Sequence, residues 1–129
     1  MTKALKHVLC VDDSEDILEV AQMCLETMAD IKVNCLNSGM KAVEQAVGIN
    51  PDLILLDVMM PQMDGPTTLQ ELRKIPELAN TPIVFMTARV QPAEVEEYME
   101  LGASGVICKP FDPMTIADEI QAVWEKCND

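Results

Sequence analysis

The stretch HVLCVDDSEDI, residues 7–17, sets an apolar run, Val8 to Val11, directly against two carboxylates, Asp12 and Asp13. Consecutive apolar residues that stop at charge describe a strand buried on both faces, with its carboxyl end opening into a polar site. The period then changes. Ile17, Leu18, Ala21, Cys24, Leu25 and Met28 recur at three- and four-residue steps, the stripe of an amphipathic helix. Ser14 stands where a helix N-cap belongs, and Glu15 and Asp16 place negative charge on the first turn, where the helix dipole favours it.

The same strand-then-helix unit recurs down the chain. Further apolar runs are IKVNCL (31–36), LILL (53–56), IVFM (83–86) and GVIC (105–108). A second helix is expected over Gly39 to Val47, and Pro66, Pro92 and Pro113 suit the first position of later helices. Asp112 is placed to cap the last of these, whose inner stripe is Ile116, Ile120, Val123 and Trp124. Five βα units with doubly buried strands predict an α/β fold, a doubly wound five-stranded parallel sheet with helices on both faces. In the second run, apolar Ile31, Val33 and Cys35 alternate with polar Lys32 and Asn34, as in a half-exposed edge strand. That favours the flavodoxin-like strand order 2-1-3-4-5. One domain over residues 1–129, with a core from about 7 to 125, accounts for the chain. No repeat or low-complexity segment interrupts it.

Composition narrows the function classes. A chain of 129 residues buries roughly two-thirds of its unfolded surface, and a hydrophobic content of 49% excludes a disordered chain. The net charge of −13 argues against nucleic acid or anionic membrane as direct partners and favours cations or basic protein surfaces. The five cysteines show no C-x-x-C spacing, which speaks against zinc. Three of them, Cys10, Cys35 and Cys108, lie in apolar runs and are expected to be small buried hydrophobes in a reducing compartment. No run approaches the ~18 apolar residues of a membrane span, and no signal peptide is visible, so a cytoplasmic location is expected.

In open α/β sheets, ligands bind beyond the carboxyl ends of the strands, near the point where strand order reverses. The unusual polar residues fall at those ends. Asp12 and Asp13 follow strand one, Asp57 follows strand three, Thr87 ends strand four and Lys109 follows strand five. Clustered carboxylates suit a hard divalent cation such as magnesium, which uses one or two carboxylates, keeps waters and recruits phosphate oxygens. Lys109 and Thr87 supply a point charge and a hydroxyl for those oxygens. The set could neutralise a transferring phosphoryl group while one carboxylate attacks phosphorus. A single acid or lysine at a strand end is ordinarily a solvated loop residue; five such residues converging on one sheet edge are not explained that way.

From these residues the chain resembles the receiver domains of two-component response regulators. PDLILLDVMMPQMDGPTTL (51–69) matches the family's phosphoacceptor strand and the loop after it, with Asp57, Met60, Pro61, Asp64 and Gly65 in pattern. TPIVFMTA (81–88) matches its fourth strand, and LGASGVICKPF (101–111) its fifth with the lysine–proline pair. The resemblance runs from about His7 to Trp124. It implies that Asp57 accepts a phosphoryl group from the phosphohistidine of a sensor histidine kinase or phosphotransfer protein. It implies further that Asp13 and Asp57 hold Mg2+ directly, Asp12 through water, and the backbone carbonyl of Met59 as a third protein ligand. Thr87 and Lys109 are then expected on the phosphoryl group, and the Lys109–Pro110 bond is expected to be cis. Such a domain is not an enzyme on other substrates; it catalyses only its own phosphorylation and dephosphorylation and switches a protein-interaction surface.

One position departs from the pattern. Three residues before the lysine the family usually carries Tyr or Phe, whose ring rotates inward on activation, and here the residue is Val106. The signal is therefore expected to leave through the loop from Ala88 to Gln91 and the start of the next helix. Other residues receive plainer readings. Met23, Met28, Met86 and Met99 are expected in the core, while Met59, Met60 and Met63 lie beside the site and could shield an acyl phosphate. His7 is expected at the surface, AEVEEYME (93–100) as a solvated helix face, and Arg89 within reach of the site, where it could tune dephosphorylation.

A free-standing receiver is the main expectation, and a receiver cut from a longer regulator or hybrid kinase is the alternative. Two other classes fit less well. A flavin-binding electron carrier on this fold needs a hydroxyl- and glycine-rich phosphate loop where this chain has VDDSEDI. An aspartyl phosphatase places D-x-D after one strand, which neither DDS nor DVMM does.

Overall fold

The computed structural model describes residues 4–88, 91–109, 112 and 114–127, with only the backbone at Met28. Five strands and five α-helices alternate in the order β1 (His7–Val11), α1 (Glu15–Met28), β2 (Lys32–Leu36), α2 (Gly39–Ile49), β3 (Leu53–Asp57), α3 (Gly65–Arg73), β4 (Ile83–Thr87), α4 (Pro92–Leu101), β5 (Gly105–Cys108) and α5 (Ile116–Cys127). A short 3-10 turn, Pro76–Leu78, links α3 to β4. The strands form one sheet in the order β2-β1-β3-β4-β5, every pairing parallel. The order inferred from the polarity of β2 is the one observed.

β1, β3 and β4 alternate between two cores because successive side chains of a strand point to opposite faces. Val8 and Cys10, Leu53 and Leu55, Val84 and Met86 pack beneath α1 and α5; Leu9 and Val11, Ile54 and Leu56, Ile83 and Phe85 pack beneath α2 and α3. α1 buries Leu18, Ala21, Cys24 and Leu25, and α5 buries Ile116, Ile120 and Trp124. Ser14 caps α1 as the sequence suggests, its Oγ accepting from Ile17 N. At the heads of α2 and α3, Ser38 Oγ accepts from Lys41 N and Asp64 Oδ1 from Thr67 N. At the β2 margin, α1 reaches over the strand: Glu26 accepts from Val33 N at 3.1 Å, and Gln22 donates to Val33 O at 3.3 Å. His7, half-buried rather than on the open surface, pairs its Nε2 with Asn34 Oδ1 across β1 and β2.

Several expectations need correction. Met23 is 62% exposed and Met99 42% exposed, so of the methionines assigned to the core Met86 alone is found buried among the described side chains; the Met28 side chain lies outside them. Met23 falls off the stripe of α1, and Met99 lies on a helix that buries none of its residues fully. Cys108 is exposed and Cys35 half-buried, because β5 and β2 are the edge strands. The last helix starts at Ile116 rather than at Pro113, which lies outside the described residues, as does Pro110 and with it the Lys109–Pro110 bond. Asp112 instead caps the lead-in turn, its Oδ1 accepting from Met114 N at 2.8 Å. Among the described residues no helix is long and apolar enough to cross a membrane.

Candidate functional site

Parallel strands put all their carboxyl ends on one side, and the five polar residues singled out in the sequence meet there. Asp12 follows β1 and is fully buried, Asp57 closes β3 at 2% exposure, Thr87 closes β4 and is buried, and Lys109 follows β5 half-buried. Asp13 faces solvent. Carboxylate oxygens of Asp12, Asp13 and Asp57 lie within 4.8 Å of one another.

Each residue is held by local structure. Asp12 Oδ1 accepts from Ser14 N at 2.9 Å, which fixes the carboxylate to the head of α1. Lys109 N donates to Thr87 O at 2.7 Å, tying β5 to β4 at the rim. After Asp57 the chain must turn sharply into α3, and Gly65 permits it. A Cβ there would meet Asp57 O at 2.4 Å and Val58 Cα at 2.8 Å, while Gly65 N bonds Val58 O at 2.9 Å. Gln62, in the same loop, takes a left-handed φ of 68°.

The lysine is the resident counter-ion. Lys109 Nζ lies 2.9 Å from Asp12 Oδ2 and 2.9 Å from Asp57 Oδ1. Asp57 Oδ1 also accepts from Met59 N at 3.3 Å. Its other oxygen, Oδ2, is buried with no hydrogen-bond partner. Burial pushes the Asp57 carboxyl up to about 6; the Lys109 hydrogen bond opposes this, the Asp12 charge adds to it, and Lys109's charge and Met59 N again pull down. For Lys109, burial works to lower the ammonium's pKa, and the hydrogen bonds it donates to Asp12 and Asp57, with their charges, outweigh it and raise the value. One ammonium thus holds two buried carboxylates that repel each other.

The donor set fits a hard divalent cation. Three carboxylates converge, one presents a buried and unpartnered oxygen, and together they carry more negative charge than Lys109 cancels. The loop methionines behave differently from one another. Met59 is 78% exposed at the rim, whereas Met60 is buried in the core beside Val58 and Leu69 and is not available as a shield. Arg89 lies outside the described residues. Sequence reasoning missed two things: Lys109 bridging Asp12 and Asp57 by itself, and an aromatic contact between Tyr98 and Phe85 behind the site. The apolar spacing Val95, Tyr98, Met99 inside the acidic run was the available signal for the second.

Comparison with known proteins gives one family. The model of the response regulator receiver domain matches residues 8–121. Response regulator Rre1 of Synechocystis is 34% identical over 116 residues, covering 90% of this chain and 48% of that protein. Among solved structures, the chemotaxis response regulator CheY4 of Vibrio cholerae is 32% identical, covers 93% of this chain and 99% of that one, and superposes with a TM-score of 0.87. The signal receiver domain of a histidine kinase from Syntrophus aciditrophicus is 29% identical over 94% of this chain and 91% of that one, with a TM-score of 0.80. The chain spans about half the length of most of the curated relatives it resembles and a quarter of one of them.

Proposed function

The chain belongs to the response regulator receiver family, and on that premise we propose that Asp57 is its phosphoacceptor. The observation that carries the assignment is Asp57 Oδ2, a buried carboxylate oxygen with no hydrogen-bond partner beside a resident ammonium. Leaving a charged acceptor buried and unsatisfied costs free energy, and bond formation to phosphorus relieves that cost. Lys109 holds Oδ1, which leaves Oδ2 as the nucleophile. In the transfer, Oδ2 forms the new bond to phosphorus, the P–N bond of a phosphohistidine breaks, and the imidazole leaves with the bonding pair. Lys109 then neutralises charge on the transferred phosphoryl oxygens, and the Thr87 hydroxyl donates to one of them.

Mg2+ is the cation we assign to Asp12, Asp13, Asp57 and the Met59 carbonyl. Bound there, it supplies charge neutralisation for the phosphoryl oxygens. Asp13, open to solvent, is the natural entry ligand; Asp12 is already oriented by Ser14 N. The partners are a sensor histidine kinase or phosphotransfer protein upstream and a protein target downstream, in the cytoplasm. The chain catalyses only its own phosphorylation and dephosphorylation. A second reading, a receiver segment of a longer regulator or hybrid kinase, is favoured by the greater length of its curated relatives.

The test is intact-mass measurement after acetyl phosphate with Mg2+. The wild type should gain one phosphoryl group, and Asp57→Asn should gain none. Equal labelling of the variant would sink the assignment.

A further inference from the structure

The chain holds a single tyrosine, Tyr98, inside the acidic run of α4. α4 contributes no fully buried residue. Tyr98 is nevertheless half-buried, and its ring meets Phe85 edge-on, with centroids 4.9 Å apart and planes at 65°. Phe85 is fully buried on β4, two residues before Thr87, and its partner across the sheet is Val106. Tyr98 and Val106 pack against the same core cluster. The side chain at 106 is a short valine, and a ring carried by the helix lies against Phe85.

The ring therefore touches the strand that ends in Thr87. Edge-to-face aromatic contacts are directional, so a small change in strand or ring position alters them. An element with few buried apolar contacts sits at the low-stability end of a fold and responds first.

We propose that Tyr98 is a positioning residue that couples the phosphoryl site to α4, with the helix-borne ring against Phe85 serving as the mobile aromatic of this chain. The proposal rests on the reading of Asp57 as phosphoacceptor. A displacement at Thr87 shifts Phe85, the ring follows, and α4 moves as a unit. β5 needs no rearrangement at Val106. A ligand shifts such an equilibrium only by its differential contacts with the two states, and this contact is where the difference is made.

The experiment uses the full chain with 3-fluorotyrosine, which gives one 19F resonance, together with amide NMR. Beryllofluoride with Mg2+ is the probe, and the amides of Met59 and Thr87 report its binding. With binding, the Tyr98 resonance should move and amides over 92–101 should shift with it. Tyr98→Phe, which keeps the ring, should retain the α4 amide response. Tyr98→Ala should lose it while Met59 and Thr87 still respond, and adding Val106→Tyr to Tyr98→Ala should move the response to β5. If Met59 and Thr87 respond but the fluorine signal stays still, or if Tyr98→Ala moves α4 as the wild type does, the coupling is wrong and the phosphoacceptor reading stands. If Met59 and Thr87 do not respond to the probe, both fall.

Discussion

α1 and α4 are helices of similar kind in the sequence, both apolar on one side and acidic on the other, yet the fold treats them differently. α1 buries Leu18, Ala21, Cys24 and Leu25, is capped by Ser14 and sends Gln22 and Glu26 to the backbone of β2. α4 buries none of its residues fully and has no side-chain cap at Gln91. It is fastened by Tyr98 on Phe85 and, at its end, by Arg73 donating to Gly102 O at 2.8 Å. An apolar stripe records what a helix offers, not what covers it. The site lies between the two flanks, tied to α1 through Asp12 and Ser14 and facing α4 from the end of β4. One flank is anchorage and the other is free to report.

Truncation should expose this contrast most strongly. Leu25→Ala should cost about 3 kcal/mol of unfolding free energy in urea, and Met99→Ala should change it by less than about 0.5 kcal/mol. Comparable losses would break the comparison outright.

The next effect belongs to the site between the flanks. The Asp57 carboxyl lies at about 6 in the fold against an ordinary 3.8. A raised pKa means that the folded state prefers the proton. The group's contribution to stability is therefore complete below about pH 4 and lost as pH rises through about 6. Asp57→Asn removes this dependence. Without metal, the variant should match the wild type near pH 4 and exceed it by about 2 kcal/mol above pH 7, allowing for partial relaxation. Urea titrations in chelator across that range decide it; a gap independent of pH would refute the buried-charge account.

Mg2+ should act in the same place with a smaller effect. At tenfold excess over its dissociation constant a ligand specific to the native state adds about 1.4 kcal/mol. The melting temperature of the wild type should rise with millimolar Mg2+ and that of Asp13→Ala much less. A wild-type curve indifferent to the cation counts against the metal assignment.

The smallest effect compares one residue type on the two flanks. Cys24 is buried on α1 and Cys108 exposed on β5, beside α4. Cys24→Ser buries a hydroxyl and should cost about 1 kcal/mol, whereas Cys108→Ser should stay within about 0.5 kcal/mol. Equal costs would mean that the β5 side is more tightly packed than its exposure indicates.

Much of this was legible because strands announce themselves by what they exclude. VLCV, LILL and IVFM have no polar residue to face water, as central strands require, and the polar alternation of β2 marks an edge. Asp12, Asp57, Thr87 and Lys109 follow those runs directly, so reading the strands located the residues. What failed depended on neighbours rather than on the chain. Met99 looks like Met86 in composition, but one lies on a helix with no fully buried residue and the other in the sheet. Cys108 ends a run as apolar as that of Cys10, but only β5 is at the margin. The bridge from Lys109 to Asp12 joins residues 97 apart in the sequence and leaves no periodic trace.

The grip of Gln22 and Glu26 on Val33 has a consequence for how the molecule keeps company with others. The outer margin of a sheet is a template on which a foreign strand can add, the first step toward fibrils and swapped assemblies. Here α1 occupies the free peptide groups of Val33, so a would-be template must first lose its helix. The head of that helix is Ser14, bonded to Asp12 in the carboxylate cluster. Whatever steadies Asp12 also keeps the lid on the sticky margin. Resistance to aggregation and response to a signal share one helix.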